Sequence, residues 1–399
     1  MSGSERGLWQ VLRDAGTSFV LLGLTGRMPP AMLPLGLTLY TYAQLDSFTS
    51  AGAVVAAVAL GNAAGGPLVG AAADRWGQRI SGLVSAALTT AALAVLVVML
   101  RPGVPMPLLV ALAFLTGTGN PQVGAMARGR WAAAARQRTD RARMTSLTMA
   151  YEGAIDEAAF VVGPVTVSML ALLGAPVPLI VAGVLGLVLP VAFALHPTAL
   201  PPGSHHVARD DEPTRVPWLR LVPVGLVCAA IGVIFGSVST GVTAFLTERG
   251  QEGITGFVYG GMGIGSATSA LLSTRVRASQ RHKLVGATLG LSLVAPWLIL
   301  AGHPLLLSAV CFLCGCFLAP ALIAAFAIGE STSPLARIST VMTALGTCVT
   351  VGVATGASAA GPLIDSRGAV AALAIPTVAG VSAALAGLVN LAISRRARG

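Results

Sequence analysis

Residues 49–79 read TSAGAVVAAVALGNAAGGPLVGAAADRWGQR, and this stretch decides the class of fold. No charged side chain occurs in residues 49–72, a run long enough to cross about 30 Å of hydrocarbon as a helix, which takes about 20 apolar residues. The run ends at Asp74 and Arg75, whose charges require water. The pattern predicts a membrane-spanning helix followed by a short polar turn.

The rest of the chain repeats this pattern. Of 399 residues, 55% are hydrophobic and only 10% are charged, whereas a soluble domain carries about a quarter charged residues. Alternation with a period of two, the mark of a membrane β-barrel, is absent. We therefore predict an all-α integral membrane protein with twelve transmembrane helices. The predicted spans are 16–40, 49–72, 81–100, 107–128, 146–172, 177–196, 219–245, 253–273, 284–302, 304–328, 338–363 and 369–393.

The distribution of basic residues predicts the orientation of these spans. Lys and Arg concentrate on the loops of one face, and only Arg101, Arg249 and Arg367 fall on the loops of the other. Short basic loops stay in the cytoplasm, so both termini are expected there, in a multi-pass protein of the cytoplasmic membrane with no cleaved signal peptide. The net charge of +10 then reflects topology and contact with anionic lipid, not nucleic acid.

The chain also divides into two similar parts. The longest internal polar segment, 197–218, separates an N-terminal six-helix bundle, 1–196, from a C-terminal one, 219–399. A Gly-Pro pair occurs in both the fifth and the eleventh span, at Gly163-Pro164 and Gly361-Pro362. Four glycines of the second span recur in the eighth at an offset of 195 residues, namely Gly61, Gly65, Gly66 and Gly70 with Gly256, Gly260, Gly261 and Gly265. Small residues at this spacing let helices pack closely in lipid, so we predict two pseudo-symmetric bundles.

The loop between spans two and three carries the most specific motif. It reads Gly70-Ala-Ala-Ala-Asp74-Arg75-Trp-Gly77-Gln-Arg79. This resembles the signature loop of the major facilitator superfamily, and the twelve-span plan resembles that family over the whole length. The resemblance implies a fold of two six-helix bundles and a loop that latches them together at the cytoplasmic side.

Two features of the sequence qualify this resemblance. Arg75 and Arg79 also satisfy the positive-inside rule alone, so a purely topological role stays open. Span four has no arginine between residues 107 and 127, where exporters of the family often have one. Proton-coupling schemes that depend on that arginine are therefore not carried over.

Four charged residues stand out inside predicted spans. Arg27 lies in span one, and Glu152, Asp156 and Glu157 lie in span five, at comparable depth from the same face. A charge inside the bilayer is costly, so it needs a partner, water or a change of protonation. Our hypothesis is that Arg27 pairs with Asp156 or Glu157 and that the remaining acid exchanges a proton during transport. A static ion pair that only fixes helix packing is the alternative.

Polar residues of the spans that line the central cavity in this family are candidates for binding cargo. The candidate cavity residues are Asn120, Gln122, Ser237, Thr240 and Thr243. Hydroxyls in helices often bond back to their own backbone, which is the competing interpretation. The pair Gly163-Pro164 is predicted to bend span five, since proline removes a helix hydrogen bond.

Together these features favour a secondary transporter that works by alternating access. We predict proton-coupled export of a small amphipathic compound, with proton-coupled uptake of a sugar or another metabolite as the alternative. A membrane enzyme is disfavoured because no GxSxG or HExxH pattern occurs, and direct coupling to ATP is disfavoured because no P-loop occurs. The five cysteines fall inside spans, so no metal, bound cofactor or disulfide is expected. A monomer is expected.

Overall fold

The computed structural model describes residues 8–136, 140–203, 216–273, 278–334 and 337–396. Most of the predicted central loop, 204–215, lies outside the described residues. The helices are α1 Leu8–Ala15, α2 Thr17–Thr25, α3 Met28–Leu45, α4 Phe48–Met99, α5 Met106–Thr118, α6 Val123–Arg136, α7 Arg141–Ala171, α8 Val177–Leu195, α9 Trp218–Thr247, α10 Thr255–Ser273, α11 Gln280–Val294, α12 Trp297–Leu300, α13 Pro304–Thr332, α14 Ile338–Arg367, α15 Ala369–Ala372 and α16 Ile375–Arg396.

All twelve predicted spans are occupied by helix, which confirms the fold class. In the described part of the chain, eight helices are individually long and apolar enough to cross a membrane. The longest, α4, contains both span two and span three. Gly77 interrupts the helical backbone between these two spans, at φ 84° and ψ 160°. The hydroxyl of Ser81 donates to the carbonyl of Val69 at 3.0 Å. These residues would lie about 18 Å apart in a straight helix, so the chain turns back at Gly77.

Two spans are broken in the middle. Span one is interrupted between α2 and α3, where Gly26 and Arg27 separate the helices and Pro29 and Pro30 begin the next one. Proline fits the first turn of a helix because its missing N–H needs no partner there. Span four is interrupted between α5 and α6 at residues 119–122. The first break holds the buried side chain of Arg27, and the second holds Asn120, whose Oδ1 is buried.

The bundle has two ends, which we call the Gly77 end and the Asp365 end after one residue at each. The Gly77 end carries the turn of α4 and the segment after α8, where Gln78 N–H donates to Leu200 O at 3.0 Å. The Asp365 end carries the start of α4 and the end of α14, where Asp365 meets Phe48. Spans run alternately between these two ends.

The halves meet along two seams, α4 against α14 and α7 against α10. At the first, Gly52 lies so close to the carbonyl of Ala357 that any side chain there would collide with it. At the second, the hydroxyl of Ser168 accepts a hydrogen bond from Gly256 N–H at 2.6 Å. Small residues permit this backbone contact, as expected for helices packed in lipid.

The two bundles are pseudo-symmetric, but the predicted register of the glycine repeat is wrong. Gly61 packs against the carbonyl of Phe114 in α5, whereas Gly265 packs against the carbonyl of Phe312 in α13. Gly256, which the offset of 195 pairs with Gly61, instead packs against α7 across the second seam. Because glycine is common in these helices, the same spacing occurs in both halves at positions that are not structurally equivalent.

Candidate transport site

Arg27 lies at the break between α2 and α3 and is buried, with 7% of its side chain exposed. One Nη group donates to the carbonyl of Gly23 at 2.9 Å, and the other pairs with the carboxylate of Glu152. Its Nε lies 2.8 Å from Oδ1 of Asp156. A buried guanidinium is stable only when its charge and donors are matched, and the broken helix lets it reach two acids.

Glu152 is the sealed acid of this group, with 2% of its side chain exposed. Its Oε2 faces Arg27, and its Oε1 accepts a hydrogen bond from the indole of Trp131 at 2.8 Å. Trp131 is itself held by the ring of Phe19, whose centroid lies 4.9 Å away in an edge-to-face arrangement. Both carboxylate oxygens of Glu152 are therefore partnered.

Asp156 lies between two arginines. Its Oδ1 faces Arg27, and its Oδ2 pairs with an Nη group of Arg128. Arg128 was missed as a site residue because its position at the end of predicted span four made it one more cytoplasmic charge. The structure extends this helix as α6 to Arg136, so that Arg128 enters the network. This outer pair is open, with 40% of Arg128 and 34% of Asp156 exposed.

Glu157 takes a different direction from its neighbour. The expected pairing of Arg27 with Asp156 or Glu157 is made by Asp156, together with Glu152. Glu157 is half-buried, and its carboxyl group lies beside the hydroxyl of Ser266 in α10 of the other half. None of the described residues supplies a cation to Glu157.

The network lies towards the Gly77 end of the N-terminal half. The side chain of Gln78 donates to the carbonyl of Met126 at 3.2 Å and accepts from Nε of Arg130 at 2.7 Å. These two partners flank Arg128 in α6. The close contacts of α7 with α10 run from Val161, which packs against Gly263, to Ser168, which lies about 16 Å further along α7 than Glu157.

The two amide candidates, Asn120 and Gln122, lie close together and bind the same neighbouring side chain. The side-chain amides of Asn120 and Gln122 both donate to Oδ1 of Asn62, at 2.9 Å and 3.0 Å. Asn62 belongs to α4, and sequence reasoning did not single it out. Oδ1 of Asn120 is buried without a partner in the described residues and borders a small cavity that Pro29 and Thr90 also line.

The three hydroxyl candidates of α9 do not join this cluster. Ser237, Thr240 and Thr243 are buried and donate to the carbonyls four residues earlier in their own helix, at 2.7 Å, 3.0 Å and 2.7 Å. These hydroxyls therefore bond back to their own helix, which is the competing interpretation given for them in the sequence. The backbone at Ser237 packs closely against Gly356 of α14.

The signature loop lies at the Gly77 end, where the side chains of Asp74, Arg75 and Arg79 are exposed. A φ of 84° at Gly77 is one that a residue with a Cβ rarely adopts, so glycine permits the turn. The carbonyl of Asp74 accepts from Gly203 N–H at 2.9 Å. Among the described residues no ion pair joins this loop to the other half. A Cβ added at Gly70 would meet nothing within 4 Å beyond its own helix.

The Gly163-Pro164 pair lies inside α7, which continues through it to Ala171. Gly163 packs against Ala31 of α3, and the carbonyl of Pro164 packs against Gly256 of α10. This pair therefore serves close packing on both sides of α7.

One contact between the halves was not expected from sequence. Asp365, at the end of α14, accepts hydrogen bonds at 2.9 Å from the N–H groups of Phe48 and Thr49 and from the hydroxyl of Ser47. The first two N–H groups of α4 have no partner inside their own helix, and the third, of Ser50, is capped by Ser47 at 3.2 Å. The α4 dipole also favours a negative charge there. We call Asp365 with residues 47–49 the Asp365 latch.

A two-half bundle of spanning helices with charges held around broken helices defines a membrane transporter. The sequence model of the Major Facilitator Superfamily matches residues 16–357, and the chain belongs to that family. A search of curated protein sequences found no match.

Solved structures similar to the chain cover nearly its whole length. The nucleoside transporter NupG is 13% identical, with a TM-score of 0.67, over 94% of this chain and 98% of that one. The human organic anion transporter MFSD10 (TETRAN) is 17% identical, with a TM-score of 0.63, over 97% and 100%. The POT family transporter PepTSo is 14% identical, with a TM-score of 0.66, over 98% and 99%. At these identities the likeness establishes the fold.

Proposed function

We propose that this protein is a proton-coupled secondary transporter that exports a small amphipathic compound by alternating access. The observation that carries the proposal is Glu157, an acid inside the membrane that lies beside Ser266 of the other half and has no cation among the described residues. The bilayer penalises an unpaired charge, so an acid in this position is suited to hold a proton. Glu152 and Asp156 each face an arginine and serve to hold the network together.

Glu157 is also suited to link protonation to movement. It lies on α7, which forms a seam with α10, and its partner Ser266 is on α10. A charged Glu157 can only accept a hydrogen bond from the hydroxyl of Ser266, whereas a protonated Glu157 can also donate one and carries no charge. Loading a proton therefore changes the contact between the halves at the inner edge of the seam. This gives a two-state element that a proton gradient biases.

The observed conformation corresponds to one end of the transport cycle. The Asp365 latch closes the Asp365 end, and the signature loop makes no ion pair to the other half in the described chain. With the predicted orientation this is an inward-facing state. We propose that Asp74, with Arg75 and Arg79, latches the halves in the opposite state, after the Asp365 latch has opened.

We also propose a domain division, a topology, an oligomeric state and a set of partners that fit alternating access. We divide the chain into bundles 1–196 and 219–399 with a cytoplasmic loop 197–218 between them. Both termini lie in the cytoplasm, the chain acts as a monomer in the cytoplasmic membrane, and the working partners are lipid, protons and one small molecule. The seams are internal to one chain, which supports a monomer as the transport unit.

Uptake of a sugar or another metabolite is the second candidate. The amides of Asn62, Asn120 and Gln122 form one hydrogen-bonded cluster. Asn120 also lines the small cavity, and its Oδ1 is buried with no partner in the described residues. Such a cluster can exchange its internal hydrogen bonds for those of a substrate hydroxyl. Amphipathic export remains the first candidate because that cavity is small and mostly apolar.

Transport is tested with the full chain reconstituted in liposomes under an imposed pH gradient. The probes are a sulfonated rhodamine, a cationic rhodamine with the same ring system, a radiolabelled hexose and a radiolabelled nucleoside. We expect gradient-driven movement of a rhodamine, abolished by a protonophore and absent from empty liposomes. Movement of the hexose or nucleoside alone would support uptake, and movement that ignores the gradient would contradict proton coupling.

A further inference from the structure

Arg27, Arg128, Glu152 and Asp156 form a network in which the two arginines have unequal numbers of acidic partners. Asp156 is shared by two arginines, whereas the described residues give Arg128 one acid. Arg27, in contrast, has two acids, Glu152 and Asp156. If Arg128 left Asp156, Asp156 would still be paired with Arg27. Arg128 is therefore the charge that can be released without leaving a buried charge unpaired.

Exposure divides the network along the same line. The inner pair is sealed, with 7% of Arg27 and 2% of Glu152 exposed, whereas 40% of Arg128 and 34% of Asp156 are exposed. A solute that enters the bundle can reach Arg128 without displacing Arg27. The contact with Asp156 uses Nη2 of Arg128, and no contact within the described chain occupies its Nε or Nη1.

Both guanidinium groups pack against Gly124 of α6. Gly124 of α6 has no side chain, and a Cβ there would lie 3.1 Å from Nε of Arg27 and 3.5 Å from Nη1 of Arg128. A larger residue would push the two guanidinium groups away from α6. Of the two, only Arg128 is open to solvent, and a planar guanidinium binds oxyanions through two parallel hydrogen bonds.

We propose that Arg128 is the binding group for an anionic substrate, whose carboxylate, sulfonate or phosphate displaces Asp156 and takes its place on Arg128. The proposal rests on the proposed transport function and names its cargo as an amphipathic anion. A cation could instead replace Arg128 on Asp156, but that exchange leaves Arg128 without a counter-ion. The anion keeps every charge of the network paired.

Binding is tested at equilibrium, without a gradient, using the full chain in lipid nanodiscs and isothermal titration calorimetry. The probes share one ring and differ in a permanent charge: benzenesulfonate, benzyltrimethylammonium and benzyl alcohol. We expect saturable binding of benzenesulfonate that Arg128→Gln weakens roughly tenfold or more, since a charge-assisted bidentate contact is lost. Arg101→Gln removes the same charge at the Asp365 end and should leave binding unchanged.

A second variant separates loss of binding from loss of folding. Asp156→Asn removes the competitor of the ligand, so benzenesulfonate should bind more tightly than to the wild type, while Arg128→Gln/Asp156→Asn should bind as weakly as Arg128→Gln. Unchanged binding in Arg128→Gln, or no benzenesulfonate binding to either the wild type or Asp156→Asn, would overturn the proposal. So would benzyltrimethylammonium binding that Asp156→Asn abolishes. Failure of these tests leaves gradient-driven transport untouched, and failure of transport leaves the binding result standing.

Discussion

Replacing Asp365 by alanine removes the acceptor that joins α14 to the start of α4. The N–H groups of Phe48 and Thr49 and the hydroxyl of Ser47 lose their partner across the halves, while the cap of Ser50 by Ser47 remains. Loss of a helix cap costs about 0.5–2 kcal/mol, and the helix dipole adds about 0.3–1 kcal/mol. Because Asp365 is exposed, water recovers part of this, which leaves about 1–2 kcal/mol.

This cost falls on one conformation only, because the latch exists only when the Asp365 end is closed. The ratio of open to closed molecules at that end should therefore rise roughly 5–30-fold. Asp365→Asn keeps an acceptor oxygen and loses the charge, so its shift should be smaller. Double electron–electron resonance measures the shift, with spin labels at Pro102→Cys and Gln251→Cys in a background where the partly exposed Cys316 and Cys348 are serine.

The matched control is Ser366→Ala, since Ser366 is adjacent and exposed and its hydroxyl donates to Pro362 of its own helix at 2.6 Å. We expect a second, longer distance to grow in Asp365→Ala and not in the control. A distance distribution for Asp365→Ala that matches the wild type would refute the role of the latch.

Three further predictions concern the seam, the sealed acid and the turn. Gly52→Val should stop closure at the Asp365 end and abolish transport while the protein still folds. Gly286→Ala, where an added Cβ meets nothing within 4 Å, should transport normally, and equal flux for the two variants would contradict the seam. Trp131→Phe removes the indole donor of buried Glu152 and should lower stability by about 1–3 kcal/mol in thermal unfolding, whereas exposed Trp76→Phe should not. Gly77→Ala puts a Cβ at a φ of 84° and should destabilise the protein by about 1 kcal/mol or more; an unchanged melting temperature would count against a strained turn.

The spans were predictable because the bilayer imposes a simple rule on length and polarity. The break in span one also had a signal, since Pro29 and Pro30 follow Arg27 directly. The family was predictable from the loop at residues 70–79, and the sequence model confirms it. These features depend on local composition, which a sequence displays directly.

The pairing of Arg27 with Asp156 was predicted, but other features that depend on contacts between distant segments were not. Asp365 in the sequence is an ordinary loop acid, and its role at Phe48 appears only when α14 and α4 meet. Arg128 looked like a positive-inside residue because the end of span four was set too early along the chain. The glycine repeat gave a wrong register because the spacing of small residues does not show which helix each of them contacts.

The hydroxyls of α9 show a second limit. Ser237, Thr240 and Thr243 are polar residues in a span that lines the cavity in this family, and the sequence gives no way to tell a lining hydroxyl from one bonded to its own helix. Their hydroxyls bond back to the backbone, which satisfies them without a ligand.

The central claim is that Glu157 carries the proton that drives the change between states, and one comparison tests it most directly. In reconstituted liposomes, Glu157→Gln should lose accumulation of the rhodamine probe driven by a pH gradient but retain exchange of labelled for unlabelled probe without a gradient, because only the proton step is removed. Glu330→Gln, the same change at an exposed position of α13, should retain both. Full gradient-driven accumulation by Glu157→Gln would contradict the account.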